Sequence, residues 1–324
     1  MLGLPVIQSL EDFSRQTHIS KHTIFQLSKF SNKYYQSYGI LKKNGKIRTI
    51  NQPSKKLKGL QAWILVNILD KLKVSNSCKG FEKGSSTLNN AEPHKHANAV
   101  LIIDLKDFFP SIKRYMVFNI FKSIGYNNIV ATIFTNLCIY NDELPQGSPC
   151  SPKLANLATW ALDLRIQGYV GRRGITFTRY ADDLTFSSLS PESVIKIIPT
   201  LKEIIEDENF KINSDKPRVS GPARAKKVTG LVISENSVGV GKQKFKIIRS
   251  KIQHLIFHRE QTNLKLLSEV KGWLAYLKSV DEVRYKSATN YIRNLQDKHP
   301  STLISHIPIP PKTVAIATGI ISVS

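Results

Sequence analysis

Ile175-Thr176-Phe177-Thr178-Arg179-Tyr180-Ala181-Asp182-Asp183-Leu184-Thr185-Phe186-Ser187 is the stretch on which the fold turns. Two short runs of β-branched and aromatic residues flank Tyr180-Ala181-Asp182-Asp183, the pattern of a β-hairpin that presents two adjacent carboxylates at its tip. Asp is favoured in turns because its side chain bonds its own backbone, so the tetrapeptide alone reads equally well as a solvated turn. Its chemical alternative is metal binding. Mg²⁺ takes one or two carboxylates and fills its shell with water and substrate phosphate, as a two-metal phosphoryl-transfer site requires.

Outward from the hairpin, a second carboxylate element appears. Ala99-Val100-Leu101-Ile102-Ile103 is a continuous apolar run of the kind buried in a sheet, and it ends in Asp104. Phe108-Phe109-Pro110 then breaks the chain. Helical periodicity follows over Lys113 to Ile124, stopping at Gly125, and again over Ile129 to Tyr140. Leu144-Pro145-Gln146-Gly147-Ser148-Pro149 is a turn-rich loop, after which Ser151-Pro152 supplies an N-cap and a first-turn proline for a helix to about Ile166. This order places Asp104, Asp182 and Asp183 on neighbouring strands of a helix-backed sheet. Asp104 and Asp182 are the primary candidate metal ligands, Asp183 a weaker or indirect partner, and the carbonyl of Leu105 a further oxygen donor.

The flanks are helical and basic. Residues 1 to about 35 read as short amphipathic helices. Tyr38 to Ile50 is a strand pair around Asn44-Gly45, crowded by Lys42, Lys43, Lys46 and Arg48. Leu57 to Leu72 is helical, Ser75 to Asn98 irregular, Ser193 to Glu208 helical, and Val228-Thr229-Gly230 enters a β-meander ending near Gly241. From Lys242 to Lys298 the pattern is helical, with basic residues in excess over acidic ones, for which the lesser alternative is the solvated face of a bundle.

Composition narrows the partners. The 324 residues carry 47 Lys+Arg against 24 Asp+Glu, a formal charge of +23, and so strong a positive balance points to a polyanion, with nucleic acid foremost. No run of about 18 apolar residues and no signal segment is present, so membrane association is not expected and the location is expected to be cytoplasmic. Cys78, Cys138 and Cys150 are odd in number and widely spaced, implying neither a disulfide framework nor a zinc site. His94 and His96 lack further ligands at metal-binding spacing.

Together these motifs resemble those of reverse transcriptases, and among them the bacterial retron enzymes. Asp104-Leu105-Lys106-Asp107-Phe108-Phe109-Pro110, Leu144-Pro145-Gln146-Gly147-Ser148-Pro149 and Tyr180-Ala181-Asp182-Asp183 are similar to the class motifs. Asn90-Ala91-Glu92-Pro93-His94 and Val228-Thr229-Gly230 resemble two retron-type elements. The resemblance, over roughly residues 35 to 300, implies an α+β right-hand polymerase whose palm is an antiparallel sheet backed by helices. Its expected parts are an N-terminal helical extension (1–35), fingers (36–98), a palm (99–240) with a fingers insertion at about 113–143, a helical thumb (241–300) and a tail (301–324).

It further implies an RNA-directed DNA polymerase using two Mg²⁺ ions, or Mn²⁺, and dNTPs. Lys43 and Arg48 would clamp the triphosphate, Phe109 would exclude a 2′-hydroxyl, and Gln146 and Gly147 would border the nucleotide. Lys216, in Lys216-Pro217 where the family has Lys-Thr, would be the general acid for pyrophosphate. Asn90 and His94 would touch RNA or product duplex, or else be structural. Thr229 and Gly230 would seat the primer end, and Lys242, Lys246 and Arg249 would grip the duplex by phosphate and shape. The implied template is a cognate structured non-coding RNA of the msr-msd type, self-primed from a guanosine 2′-hydroxyl to give a branched RNA-DNA product (msDNA), in anti-phage defence beside a separate effector or toxin protein. The rival readings are a group II intron-type reverse transcriptase, which the short region after the catalytic motifs argues against, and a non-catalytic RNA-binding scaffold.

Overall fold

The computed structural model describes residues 3–41, 45, 47–213, 217–258 and 263–310. Side-chain caps start most of the early elements. Ser9 caps α1 (Leu10–Thr17), Ser20 caps α2 (Lys21–Lys29), and Ser54 caps α3 (Lys55–Asn67), which follows the antiparallel pair β1 (Tyr35–Leu41) and β2 (Ile47–Pro53). The polar segment expected to be irregular contains a short helix, α4 (Thr87–Ala91), because the Ser86 hydroxyl accepts from the Asn89 N–H.

The central strand β3 (Ala99–Asp104) leads through α5 (Phe108–Ser111) to α6 (Arg114–Ser123) and α7 (Asn128–Cys138). The sequence places an N-cap at Ser151 and one helix to Ile166, and the structure differs. Ser151 is the first residue of α8 (Ser151–Ala158), its hydroxyl donating to the Pro145 carbonyl at 2.6 Å. The helix then breaks at Thr159, whose hydroxyl bonds back to the Ala155 carbonyl, before α9 (Trp160–Gly171). The hairpin β4 (Thr176–Tyr180) and β5 (Asp183–Ser188) follows, then two helices where one was expected, α10 (Pro191–Lys196) and α11 (Ile198–Asp207), and the edge strand β6 (Arg218–Ser220).

Four strands form one sheet in the order β4-β5-β3-β6. Its register puts Asp104 opposite Asp183, Ile102 opposite Thr185 and Val100 opposite Ser187. Because side chains alternate along a strand, one face carries Leu101, Ile103, Leu184, Phe186 and Phe177, all buried in the main core, with Phe177 and Phe186 stacked at 5.0 Å. The other face is polar. It carries Asp104, Asp183, Thr185, Ser187, Thr178 and Arg218.

The meander consists of β7 (Lys226–Val228), β8 (Leu231–Ile233) and β9 (Val238–Gly239), in that order. Val228-Thr229-Gly230 is not a continuous strand entry. Thr229 and Gly230 have φ of 45° and 82° and turn the chain between β7 and β8. The helices α12 (Gly241–His254), α13 (Leu264–Val280) and α14 (Glu282–Lys298) pack on one another through Ile248, Ile252, Val270, Leu277 and Ile292. The chain divides into two compact units. One comprises everything up to Thr229 with Ile233–Asn236, the other Gly230–Val232 and the chain from Ser237 onward. Among the described residues no helix is long and apolar enough to cross a membrane. The three cysteines are buried free thiols, and His94 is buried while His96 is exposed.

Candidate active site

The polar face of the four-stranded sheet brings the carboxylates together. Tyr180 pairs with Asp183 across the hairpin, leaving Ala181 and Asp182 as its two-residue tip, with Ala181 at φ 58°. The Leu105 N–H donates to the Asp182 carbonyl at 2.9 Å, which ties the end of β3 to that tip. Asp104 is held from its other side by Asn213. The Asn213 N–H donates to the Asp104 carbonyl at 2.8 Å, and its side-chain amide donates to the Asp104 carboxylate at 2.7 Å.

From below, the tip rests on a buried ion pair. Arg179, fully buried, donates through Nε and Nη2 to the two carboxylate oxygens of Asp163 on α9, and through Nη1 to Asn156 and to the Ala181 carbonyl. Planar bidentate geometry of this kind fixes orientation as well as charge. Above the tip, Gly80 lies so near that a Cβ there would come within 2.8 Å of the Ala181 nitrogen.

These elements border a cavity of about 670 Å³. Asp104, Leu105, Asp182, Phe109, Gln146, Gly147 and Arg48 all line it, together with Phe81, Asn213 and Arg218. Six separate segments thus converge. Arg48 also lines an adjoining cavity of about 360 Å³ that reaches Asp107, Tyr140 and Glu143. Gly147 has φ of 136°, and a Cβ there would lie 2.6 Å from the Asn51 carbonyl oxygen. Its lack of a side chain therefore serves the close approach of its loop to β2, where the Asn51 N–H also donates to the Gln146 carbonyl at 2.7 Å.

The electrostatics are those of anions crowded together and partly withdrawn from water. Burial pushes the Asp182 carboxyl above the ordinary range and the charge of Asp104 adds to it, while Asp182's own backbone N–H and Arg48 oppose the shift. Burial, then Asp182 and Asp104, raise Asp183 to about 6, with Arg218 opposing. Among the described residues no three His, Cys, Asp or Glu side chains form a ready-made metal cage. The donor set nonetheless suits a hard cation, because Mg²⁺ is commonly held by one or two carboxylates, with substrate phosphate and water completing the shell. Asp104 and Asp182 could supply that pair, and a cation would relieve the repulsion between them.

Other sequence-derived candidates lie elsewhere. Lys43 and Lys216 fall outside the described residues. Asn90 and His94, for which nucleic-acid contact was one reading, are both fully buried. His94 joins Ser187 Oγ at 2.7 Å and Thr178 Oγ1 at 2.8 Å, clamping β5 to β4 on the polar face, and Asn90 reaches Thr229 Oγ1 at 3.5 Å. The structural alternative is thus the correction for these two, since a side chain without exposed surface has nothing to offer a duplex. Thr229 also donates to the Thr87 carbonyl at 3.3 Å, and Gly230 is exposed. Lys242, Lys246 and Arg249 are exposed on α12, Arg249 lying over the Tyr291 ring at 4.6 Å.

Phe81, Asn213, Arg218 and the Arg179–Asp163 pair escaped the sequence reading. Only the odd placement of an arginine within an apolar-alternating strand pointed to any of them.

Comparison with known proteins decides the lineage. The family model described as reverse transcriptase (RNA-dependent DNA polymerase) matches residues 40–267. The chain belongs to the reverse transcriptase family. It is 47% identical over 300 residues to the retron Ec86 reverse transcriptase of Escherichia coli, covering 92% of each chain. It is 31% identical to the retron Ec73 reverse transcriptase of Escherichia coli, covering 81% of this chain and 90% of that one, and 29% identical to the retron Mx65 reverse transcriptase of Myxococcus xanthus, covering 86% and 70%. Membership of the retron branch follows from 47% identity over nearly the full length of both chains. The α+β right-hand polymerase fold and RNA-directed DNA polymerase activity accord with it.

Proposed function

We propose that this chain copies a cognate structured RNA into DNA from the site formed by Asp104 and Asp182. The observation that carries this reading is the meeting of those carboxylates at the edge of a cavity also lined by Arg48, Phe109, Gln146 and Gly147. Arg48 offers a planar fork to the triphosphate of an incoming dNTP. Phe109 faces its sugar and Gln146 borders it. Asn213 holds Asp104 in one orientation, and Arg179 holds the hairpin tip that carries Asp182. Two Mg²⁺ ions, or Mn²⁺, would activate the attacking hydroxyl and neutralise charge on the transferring phosphate. Asp183 supports the pair from β5, and Lys216 is proposed as the proton donor to pyrophosphate.

Residues 36–98 are read as fingers, 99–240 as palm with the 113–143 insertion, and 241–300 as a thumb holding duplex through Lys242, Lys246 and Arg249. Thr229 and Gly230 are read at the primer end. The relatives' retron names support a cognate RNA of the msr-msd type as template. On the same resemblance rest self-priming from a guanosine 2′-hydroxyl, a branched RNA-DNA product, action in the cytoplasm and anti-phage defence with a separate effector protein.

The test is purification from cells carrying the native flanking DNA, for wild type and Asp104→Asn, followed by ribonuclease and deoxyribonuclease treatment of the bound nucleic acid. A small DNA joined to RNA is expected with wild type only. Primer extension by Asp104→Asn should fall about 10³-fold or more, since a lost metal ligand removes several kcal/mol of transition-state stabilisation. RNA alone in both samples, with no extension of an added primer by wild type, would establish the scaffold reading instead.

A further inference from the structure

Phe81 is a large apolar side chain left half-exposed at the rim of the site. It is 45% exposed and lines the cavity beside Asp104 and Asp182. Its backbone sits at φ 61°, in the left-handed region that bulky residues rarely adopt. The surrounding loop is fastened at several points. The Lys79 N–H donates to the Arg179 carbonyl at 2.8 Å, Asn156 Nδ2 donates to the Gly80 carbonyl at 2.8 Å, and Glu82 accepts from Lys153 at 2.6 Å and from Asn156 at 3.0 Å. An exposed aromatic held in an unfavourable conformation by an over-determined loop points to a task at the site.

The geometry shows which neighbours that task involves. The Phe81 ring centroid is 6.1 Å from that of Phe109 and 6.5 Å from that of Tyr180, tilted by 46° and 41°. Phe109 is braced on its other side by Phe108, whose centroid is 5.5 Å away in an edge arrangement. Phe109 therefore stands between the buried ring of Phe108 and the exposed ring of Phe81, which flanks it on the cavity side.

We propose that Phe81 is a positioning residue for sugar selection: by packing on Phe109 it fixes the wall that meets the 2′ position of the incoming nucleotide. This rests on the polymerase reading above and deepens it. In this role Phe81 acts through Phe109 and takes no part in the chemical step, and its rigid support comes from the same Arg179 and Asn156 that hold the hairpin tip. Sugar selection and alignment of the catalytic carboxylates thus share one scaffold.

The test measures kcat/KM for one dNTP and the matching rNTP on a primed RNA template, for wild type, Phe81→Ala, Phe81→Leu, Phe109→Ala and the Phe81→Ala/Phe109→Ala double variant. Selectivity for the dNTP should fall about tenfold or more in Phe81→Ala, because small displacements of a positioning group are strongly felt. Phe81→Leu should lie between, and the Phe81 effect should vanish in the Phe109→Ala background, the mark of residues acting as a unit.

Melting curves identify any variant that fails to fold. Should Phe81→Ala do so, Phe81→Leu alone and combined with Phe109→Ala carries the cycle. Unchanged selectivity, equal losses toward both nucleotides, or a loss additive with that of Phe109→Ala would overturn the proposal. Equal losses would indicate that Phe81 meets the template or base instead. Absence of synthesis by wild type would sink the polymerase reading, an outcome distinct from all of these.

Discussion

Asp183 illustrates how folding changes the meaning of a single carboxyl. In the unfolded chain it ionises near pH 4, whereas in the fold burial and its acidic neighbours raise its pKa to about 6. Between those values the native state binds more protons than the unfolded one, so this group's contribution to stability declines as pH rises through the window. Without divalent metal, Asp183→Asn should therefore be more stable than wild type above pH 6, by about 1 kcal/mol once its partial exposure is allowed for. The difference should close below about pH 4. Chemical denaturation at pH 4 and pH 7 in chelator checks this, and a pH-independent difference would contradict it.

At the scale of elements, the hairpin is positioned from both faces of its sheet. The apolar face packs Phe177, Leu184 and Phe186 into the core, while His94 bridges Thr178 and Ser187 on the polar face. Burial lowers the His94 pKa to about 4, so the fold holds it neutral. Its sign is opposite to that of Asp183. The unfolded chain binds the extra proton between about pH 6.5 and 4, and stability from this group is lost as pH falls through that range. His94→Phe should cost about 1–3 kcal/mol at pH 7, by stranding buried hydroxyls, and should flatten the acid limb of the stability profile. Duplex affinity of the folded variant should be unchanged. Weakened binding at unchanged stability would restore a contact role for His94.

For the whole molecule, a charge of +23 is matched to a polyanion, and each phosphate neutralised contributes to the salt dependence of binding. Lys242, Lys246 and Arg249 recur along one exposed face of α12. Replacing all three by Gln should reduce the slope of log affinity against log salt by about 2 to 3 for an RNA-containing duplex, if each meets one phosphate. Filter binding across a salt series reads this directly, and an unchanged slope would remove α12 from the duplex interface.

What the sequence determined by itself was local and periodic. The apolar run ending in Asp104, the hairpin bearing Asp182, the glycine loop at Gly147 and the basic helices were legible because strand alternation, turn chemistry and charge are written in neighbouring residues. Convergence of Asp104 and Asp182 followed from motif order, whereas Arg48, Phe109, Gln146 and Gly147 were expected beside them only from the family resemblance. Tertiary structure decided the rest. Whether His94 faces a duplex or a pair of hydroxyls, which residue orients Asp104, and what holds the turn beneath Ala181 all depend on partners far apart in sequence. Asn213 meets Asp104 across 109 positions and His94 meets Ser187 across 93. No periodicity encodes such pairs. They exist because close packing brings together donors and acceptors that burial forbids to remain unpaired.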